Sequence, residues 1–270
     1  MQTSSQSVAT RPPAVAGSFY PADPDRLDAQ VRNLLAHAET PAKILPKALI
    51  APHAGYIYSG TVAAAAFAML KGCAQLIARV VLIGPAHYVR VRGIVVPKVH
   101  TFATPLGHIP LDVDALNTIT ELPFVTRTDA PHAPEHALEV ELPFLQTVLG
   151  PFQLVPLVVG DAAPQEVAEV LRRLWGGPET LVVASSDLSH YLDYASARAA
   201  DAETAAAIEH GDCAALGPNQ ACGCLAVAGL LIEAGRRGLA ASRLALCNSG
   251  DTAGSRDRVV GYGAWMFAHA

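Results

Sequence analysis

The sequence predicts an α/β fold with a central, mainly parallel or mixed sheet flanked by helices. Three observations predict it. First, short apolar runs of strand length alternate with longer helical segments along all 270 residues. Second, residues 80–83 and 181–184, like Ala48–Ala51, are apolar throughout, the mark of strands buried on both faces. Third, these runs end abruptly at polar groups: His53 follows the first, His87 the second, Asp187 and His190 the third, and Cys247 a later run at 242–246. Ligands of open α/β sheets bind outside the carboxyl ends of the strands, so the four termini are expected to converge on one site.

Each element follows from local pattern. Residues 11–20 (RPPAVAGSFY) are extended by proline and glycine. Asp23 is an N-cap with Pro24 at the first helical position, and Leu27, Val31, Leu34 and Leu35 form one stripe, so Pro24–His37 is a helix. Strand Ala48–Ala51, an alanine-rich helix running to Leu70 and a strand at 79–83 make a βαβ unit, expected to pair its strands in parallel. A short strand at 93–97 precedes a hairpin at 102–111, a helix at 113–122 and a loop at 126–136. Leu138, Leu142, Leu145 and Leu149 share a helical face, with Pro143 either in the first turn or at a kink. Strand Gln153–Val159, helix 164–175, strand 180–184, helices 195–210 and 221–234 and strands 242–246 and 259–267 complete the chain. Residues 11–270 are expected to form one domain behind a Ser/Gln-rich, frayed tail at 1–10.

Composition excludes several function classes. The chain is 51% hydrophobic with a net charge of −5 and no basic stripe, which removes the electrostatic basis for binding nucleic acid. No run approaches the roughly 18 apolar residues of a membrane span. Five cysteines at irregular spacing are not a disulfide framework, and a reducing cytoplasm is the expected compartment. No GxSxG, Walker A or GxGxxG fingerprint is present, so nucleotide-binding and common hydrolase chemistries lack a motif.

His53 and His87, at the ends of two strands of one βαβ unit, are candidate ligands for zinc, copper, iron or nickel. By its strand-end position Cys247 is the first candidate for a third ligand, with Asp251, Asp187, Glu135 and Glu139 as carboxylate alternatives. His190, three residues after Asp187, is a candidate proton-transfer residue oriented by that carboxylate. Glu135 and His136 are expected to cap a helix and face substrate, and Tyr56 and Tyr191 to line the pocket. Cys222-Gly223-Cys224 is not a CxxC pair and is assigned to packing at a helix start. No arginine cluster falls near the histidines in sequence.

The motifs RPPAVAGSFYP, APHAGYIYSG, GPAHY, EHALEVELPF and SSDLSHY, with the late Cys247, together resemble the Memo-like family, whose prokaryotic members are called AmmeMemoRadiSam system protein B. The resemblance spans about residues 11–267. It implies the fold of the class III extradiol ring-cleaving dioxygenases, with His53 and His87 as metal histidines and His190 as the acid/base histidine. It places Cys247 where the dioxygenases carry a glutamate. It also implies redox chemistry on iron or copper, peptide binding as in the family's eukaryotic member, and pathway partners of radical-SAM and AMMECR type. The expected activity is therefore a metal-dependent, dioxygenase-like oxidoreductase using Fe(II) or copper on a small-molecule or peptide substrate. A zinc-dependent hydrolase and a non-catalytic peptide- or protein-binding module are the alternatives.

Overall fold

The computed structural model describes residues 9–39 and 44–269. The first part of the chain runs β1 (Thr10–Arg11), α1 (Pro24–His37), β2 (Ala48–Ala51), α2 (Tyr56–Ala68), β3 (Arg79–Pro85), β4 (Ile94–Val96), β5 (Thr101–Thr104), β6 (Gly107–Pro110), α3 (Val113–Ile119) and β7 (Val125–Arg127). It continues α4 (Leu142–Leu149), β8 (Gln153–Val159), α5 (Pro164–Leu174), β9 (Thr180–Ser185), β10 (His190–Leu192), α6 (Tyr194–His210), α7 (Cys224–Arg236), β11 (Leu239–Asn248) and β12 (Val259–His269). The main sheet has nine strands in the order β10-β12-β2-β9-β3-β8-β4-β7, with β11 on the outer edge of β12. Its centre, β2-β9-β3-β8, is parallel, and β10, β11 and β12 add antiparallel pairings, so the sheet is mixed.

The central strands are apolar without alternation because both faces are covered: Val80, Val81, Leu82 and Ile83 are all fully buried. One helical group packs α1 and α4 against α2, and the other packs α3 and α7 against α5. Leu27, Val31 and Leu35 form the buried stripe of α1, whose first turn is capped by the Asp23 carboxylate accepting from Arg26 N–H at 2.9 Å. Pro143 falls in the first turn of α4, where its missing N–H has no helical acceptor to lose.

Two expectations about pairing change. The strands leading to His53 and His87 are not neighbours: β9 lies between β2 and β3, parallel to both. The βαβ crossover therefore skips one strand position, and Ser185 at the end of β9 sits between the two histidine-bearing termini. The expected tail also ends early. Thr10 pairs with Thr101 in a small sheet of order β1-β5-β6, whereas residues 1–8 lie outside the described part. β7 takes the first residues of the loop expected at 126–136, and β10 forms where no strand was expected. β10 pairs with β12 across a register shift between His190 and Leu192, and Tyr191 in that bulge has φ 61°, the left-handed region.

Arg11 of β1 is buried and holds the loop between β7 and α4. Its Nε donates to His132 O and its Nη2 to Glu135 O, both at 2.6 Å. Its Nη1 pairs with the Glu139 carboxylate at 2.8 Å. Glu139 also accepts from Ala14 N–H, Val15 N–H and the Tyr20 hydroxyl, so no oxygen of this buried anion is left without a donor. Burial lowers the pKa of His132, in the same loop, to about 4. Its Nε2 faces Val95 O at 3.0 Å.

Glu139→Ala should lower stability by about 3–5 kcal/mol, the cost of leaving a buried guanidinium unpaired. Adding Arg11→Met to that variant should cost little more, as a double-mutant cycle by chemical denaturation will show. His132 sets an acid limit. Between its ordinary value of 6.5 and about 4, the unfolded chain takes up a proton here and the folded chain does not. Stability therefore falls with falling pH across that window, by about 3 kcal/mol in total. His132→Gln should make this limb shallower by about that amount in denaturation curves recorded from pH 7 to pH 4, the buried His53 and His136 supplying the rest.

Candidate metal centre

Three strand-end or loop histidines converge: the ligand nitrogens of His53, His87 and His136 lie within 4.8 Å of one another. The rings of His87 and His136 stack with centroids 4.6 Å apart, and His53 stands edge-on to both. The first two are held from behind through Nδ1. That of His53 meets Ser185 Oγ at 2.7 Å, and that of His87 donates to Glu135 Oε1 at 2.8 Å. Both Nε2 atoms are thereby left for a ligand. The His136 Nδ1 is buried, 3.4 Å from Glu135 Oε1, with no hydrogen bond of its own.

Electrostatics disfavours the charged forms of His53 and His136. Burial, then the charges of His136, His87 and His190, holds His53 well below the ordinary histidine value. Burial and the neighbouring His87 lower His136 to about 4. Burial pushes the Asp187 carboxyl the other way, up to about 7, although it accepts from the His53 backbone N–H at 2.8 Å. Burial would also raise Glu135, but the hydrogen bonds from His87 outweigh it and hold this carboxylate below its usual range.

Cys222 is the donor that sequence pattern missed. Its Sγ lies 3.3 Å from His53 Nε2 and accepts from Asp187 N–H at 3.3 Å. Gly223 makes this approach possible. A Cβ there would come within 2.6 Å of Ser185 O and 2.7 Å of the Ser186 side chain, so only glycine lets the chain lie against the end of β9. No strand-end run precedes Cys222, so the sequence carried no signal of this contact. Burial pushes the Cys222 thiol up to about 12.

The other expected residues separate. Cys247 is outside the histidine group. It pairs with Tyr262 on β11, and β12 runs between it and β2, so it lies two strand spacings away, roughly 10 Å. Asp187 does not orient His190: its carboxylate serves the His53 backbone, and the His190 Nδ1 donates instead to Leu188 O at 2.8 Å. Tyr56 is not a pocket wall. It is buried against Tyr20 and Phe144, with its hydroxyl donating to Val140 O at 2.7 Å. Neither Glu135 nor His136 caps α4, whose N-cap is Glu141; Glu135 is buried behind His87 and does not line the cavity, whereas His136 does, as a candidate ligand.

The histidines open into a cavity of about 650 Å³, where Asp187, His190 and Tyr191 also lie. Its walls include Phe19, Tyr58 and Tyr88, from the motifs RPPAVAGSFYP, APHAGYIYSG and GPAHY, and Tyr262 from β12. Arg258 lines it too, packed over the Tyr191 ring at 5.1 Å, so a cation absent from the local sequence of the histidines reaches the site through the fold. A second cavity, about 700 Å³, abuts Cys222 but contains no histidine.

A family model described as Memo-like protein matches residues 11–266. A MEMO1 family protein of Aquifex aeolicus is 37% identical over 204 residues, 74% of each chain. One from Thermotoga neapolitana is 34% identical over 274 residues, covering 93% of this chain and 97% of its own. One from Aeropyrum pernix is 35% identical over 278 residues, covering 94% and 98%. The chain, with its histidines at the carboxyl ends of β2 and β3, belongs to the Memo-like protein family.

Proposed function

We propose that this protein is a metal-dependent oxidoreductase acting on a small organic substrate that carries an anionic group. The observation that supports it most is the convergence of His53, His87 and His136 beside the Cys222 thiol. The donor set fits a transition metal, since imidazoles and a thiolate suit iron, copper or zinc. One spacing fits as well. Nitrogen and sulfur ligands of one tetrahedral ion, at bond lengths of about 2.0 and 2.3 Å, stand roughly 3.5 Å apart. The His53 Nε2 to Cys222 Sγ distance is 3.3 Å. His53, His87, His136 and Cys222 would hold the ion. When bound, Fe(II) or copper would supply redox chemistry with dioxygen.

The chain's own groups take the remaining roles. His190 commits its Nδ1–H to Leu188 O, which leaves Nε2 with a lone pair at the cavity. Burial lowers the His190 pKa, so the ring is neutral and able to accept a proton at pH 7. Arg258, without a carboxylate partner among the described residues, can take an anionic group of the substrate. The aromatic walls exclude water from its organic body.

Anaerobically purified protein should contain stoichiometric iron or copper by elemental analysis, and His53→Ala should abolish it. With Co(II) as a probe, Cys222→Ser should lose the thiolate charge-transfer band. Glu135→Gln should weaken metal binding by about 10–100-fold through loss of the His87 anchor. His190→Ala should keep the metal and lower turnover by about 10²–10⁴-fold. Metal-dependent turnover without dioxygen consumption would assign a zinc hydrolase instead. A chain that binds none of these metals would remove the proposal.

A further inference from the structure

Behind His53 lies a buried polar cluster that no step above uses. Ser185 Oγ meets three groups: His53 Nδ1 at 2.7 Å, Ala137 O at 2.7 Å and Glu141 Oε1 at 2.8 Å. Glu141 is fully buried, and its Oε2 has no partner among the described residues. A serine hydroxyl has one proton to donate and two lone pairs to accept with. Ala137 O carries no proton, so a contact this short takes the only one Ser185 has. The two remaining neighbours must then donate to Ser185 Oγ: His53 through Nδ1–H, and Glu141 through a carboxylic acid O–H.

The alternative fails on two counts. An ionised Glu141 would claim the serine proton and leave Ala137 O facing an oxygen lone pair at 2.7 Å. It would also bury an anion with no cation beside it, with one oxygen unpaired, at a cost of several kcal/mol. The nearby Asp187 carboxyl adds repulsion, and burial moves Glu141 in the same direction, well above the usual carboxylate range.

We propose that Glu141 is held as a neutral carboxylic acid and, by saturating Ser185, positions His53 in the Nδ1–H form with Nε2 presented to the site. Only its consequence for metal binding rests on the metal-centre proposal. The protonation of Glu141 and the tautomer of His53 are properties of the metal-free chain.

Infrared difference spectra of the full-length, metal-free protein at pH 7 should show the carbonyl stretch of a protonated carboxylic acid that disappears in Glu141→Gln. Nitrogen-15 spectra should show His53 carrying its proton on Nδ1. An amide N–H can replace the acid O–H, so Glu141→Gln should bind Co(II) as tightly as the parent chain. Glu141→Leu and Ser185→Ala should each bind it about 10–100-fold more weakly. Absence of the acid band, or an Nε2–H tautomer at His53, would overturn the proposal. So would Glu141→Leu binding as tightly as Glu141→Gln. If Glu141→Leu does not fold, Ser185→Ala and the spectra of the parent chain still decide. Failure of the parent chain itself to bind metal would count against the metal centre and leave the spectroscopic test intact.

Discussion

The candidate metal centre depends on the buried pair of Arg11 and Glu139. His87 comes from the end of a strand, but its anchor Glu135 and its neighbour His136 come from a loop with little regular structure. Such a segment has backbone carbonyls to satisfy and no ladder to satisfy them. Arg11 supplies the donors, taking His132 O and Glu135 O while its charge is met by Glu139. The same carboxylate receives Ala14 N–H and Val15 N–H, so the N-terminal segment and the histidine loop fix each other. A desolvated ion pair contributes little net stability against an apolar replacement, but it specifies one arrangement of the chain around it.

The second constraint is topological. Because β9 runs between β2 and β3, the space between His53 and His87 is floored by Ser185, Ser186 and Asp187. These groups are buried, and each is committed to a backbone or side-chain partner: Ser185 to His53 and Ala137 O, Ser186 to Gly223 N–H, Asp187 to His53 N–H. The strand insertion thus provides a hydrogen-bonded floor, and Gly223 lets Cys222 close one side of it.

Most elements were legible in sequence because each is governed by local pattern. The stripe of α1, the Asp23 cap, the uninterrupted apolar strands and Pro143 in the first turn of α4 all express rules of short range. The pair His53 and His87 was legible for the same reason, since both follow strand ends. What failed was anything that depends on strand order. Cys247 lies near the carboxyl end of β11, at the same end of the sheet as the histidines, but β12 stands between it and them. Asp187 precedes His190 by three residues, but the turn after β9 points its carboxylate at the His53 backbone. Cys222 and Arg258 come from segments with no strand-end pattern at all, and only the folded chain brings Cys222 to His53 and Arg258 to the cavity.

The histidines share one logic that explains why the site faces a single cavity. In His87 and His190 the Nδ1 is bound by an acceptor that has no proton, Glu135 for one and Leu188 O for the other, so both rings must carry their proton on Nδ1. Both then turn a bare Nε2 outward. His53 fits the same pattern if Ser185 accepts from it, as the hydrogen count around that hydroxyl requires. His136 alone lacks such a partner, because the nearest acceptor, Glu135 Oε1, is already engaged by His87 and Ala137 N–H. A buried imidazole without a fixed tautomer can offer either nitrogen. His136 is therefore the adaptable member of the set, able to offer either nitrogen, while His53 and His87 form its rigid base.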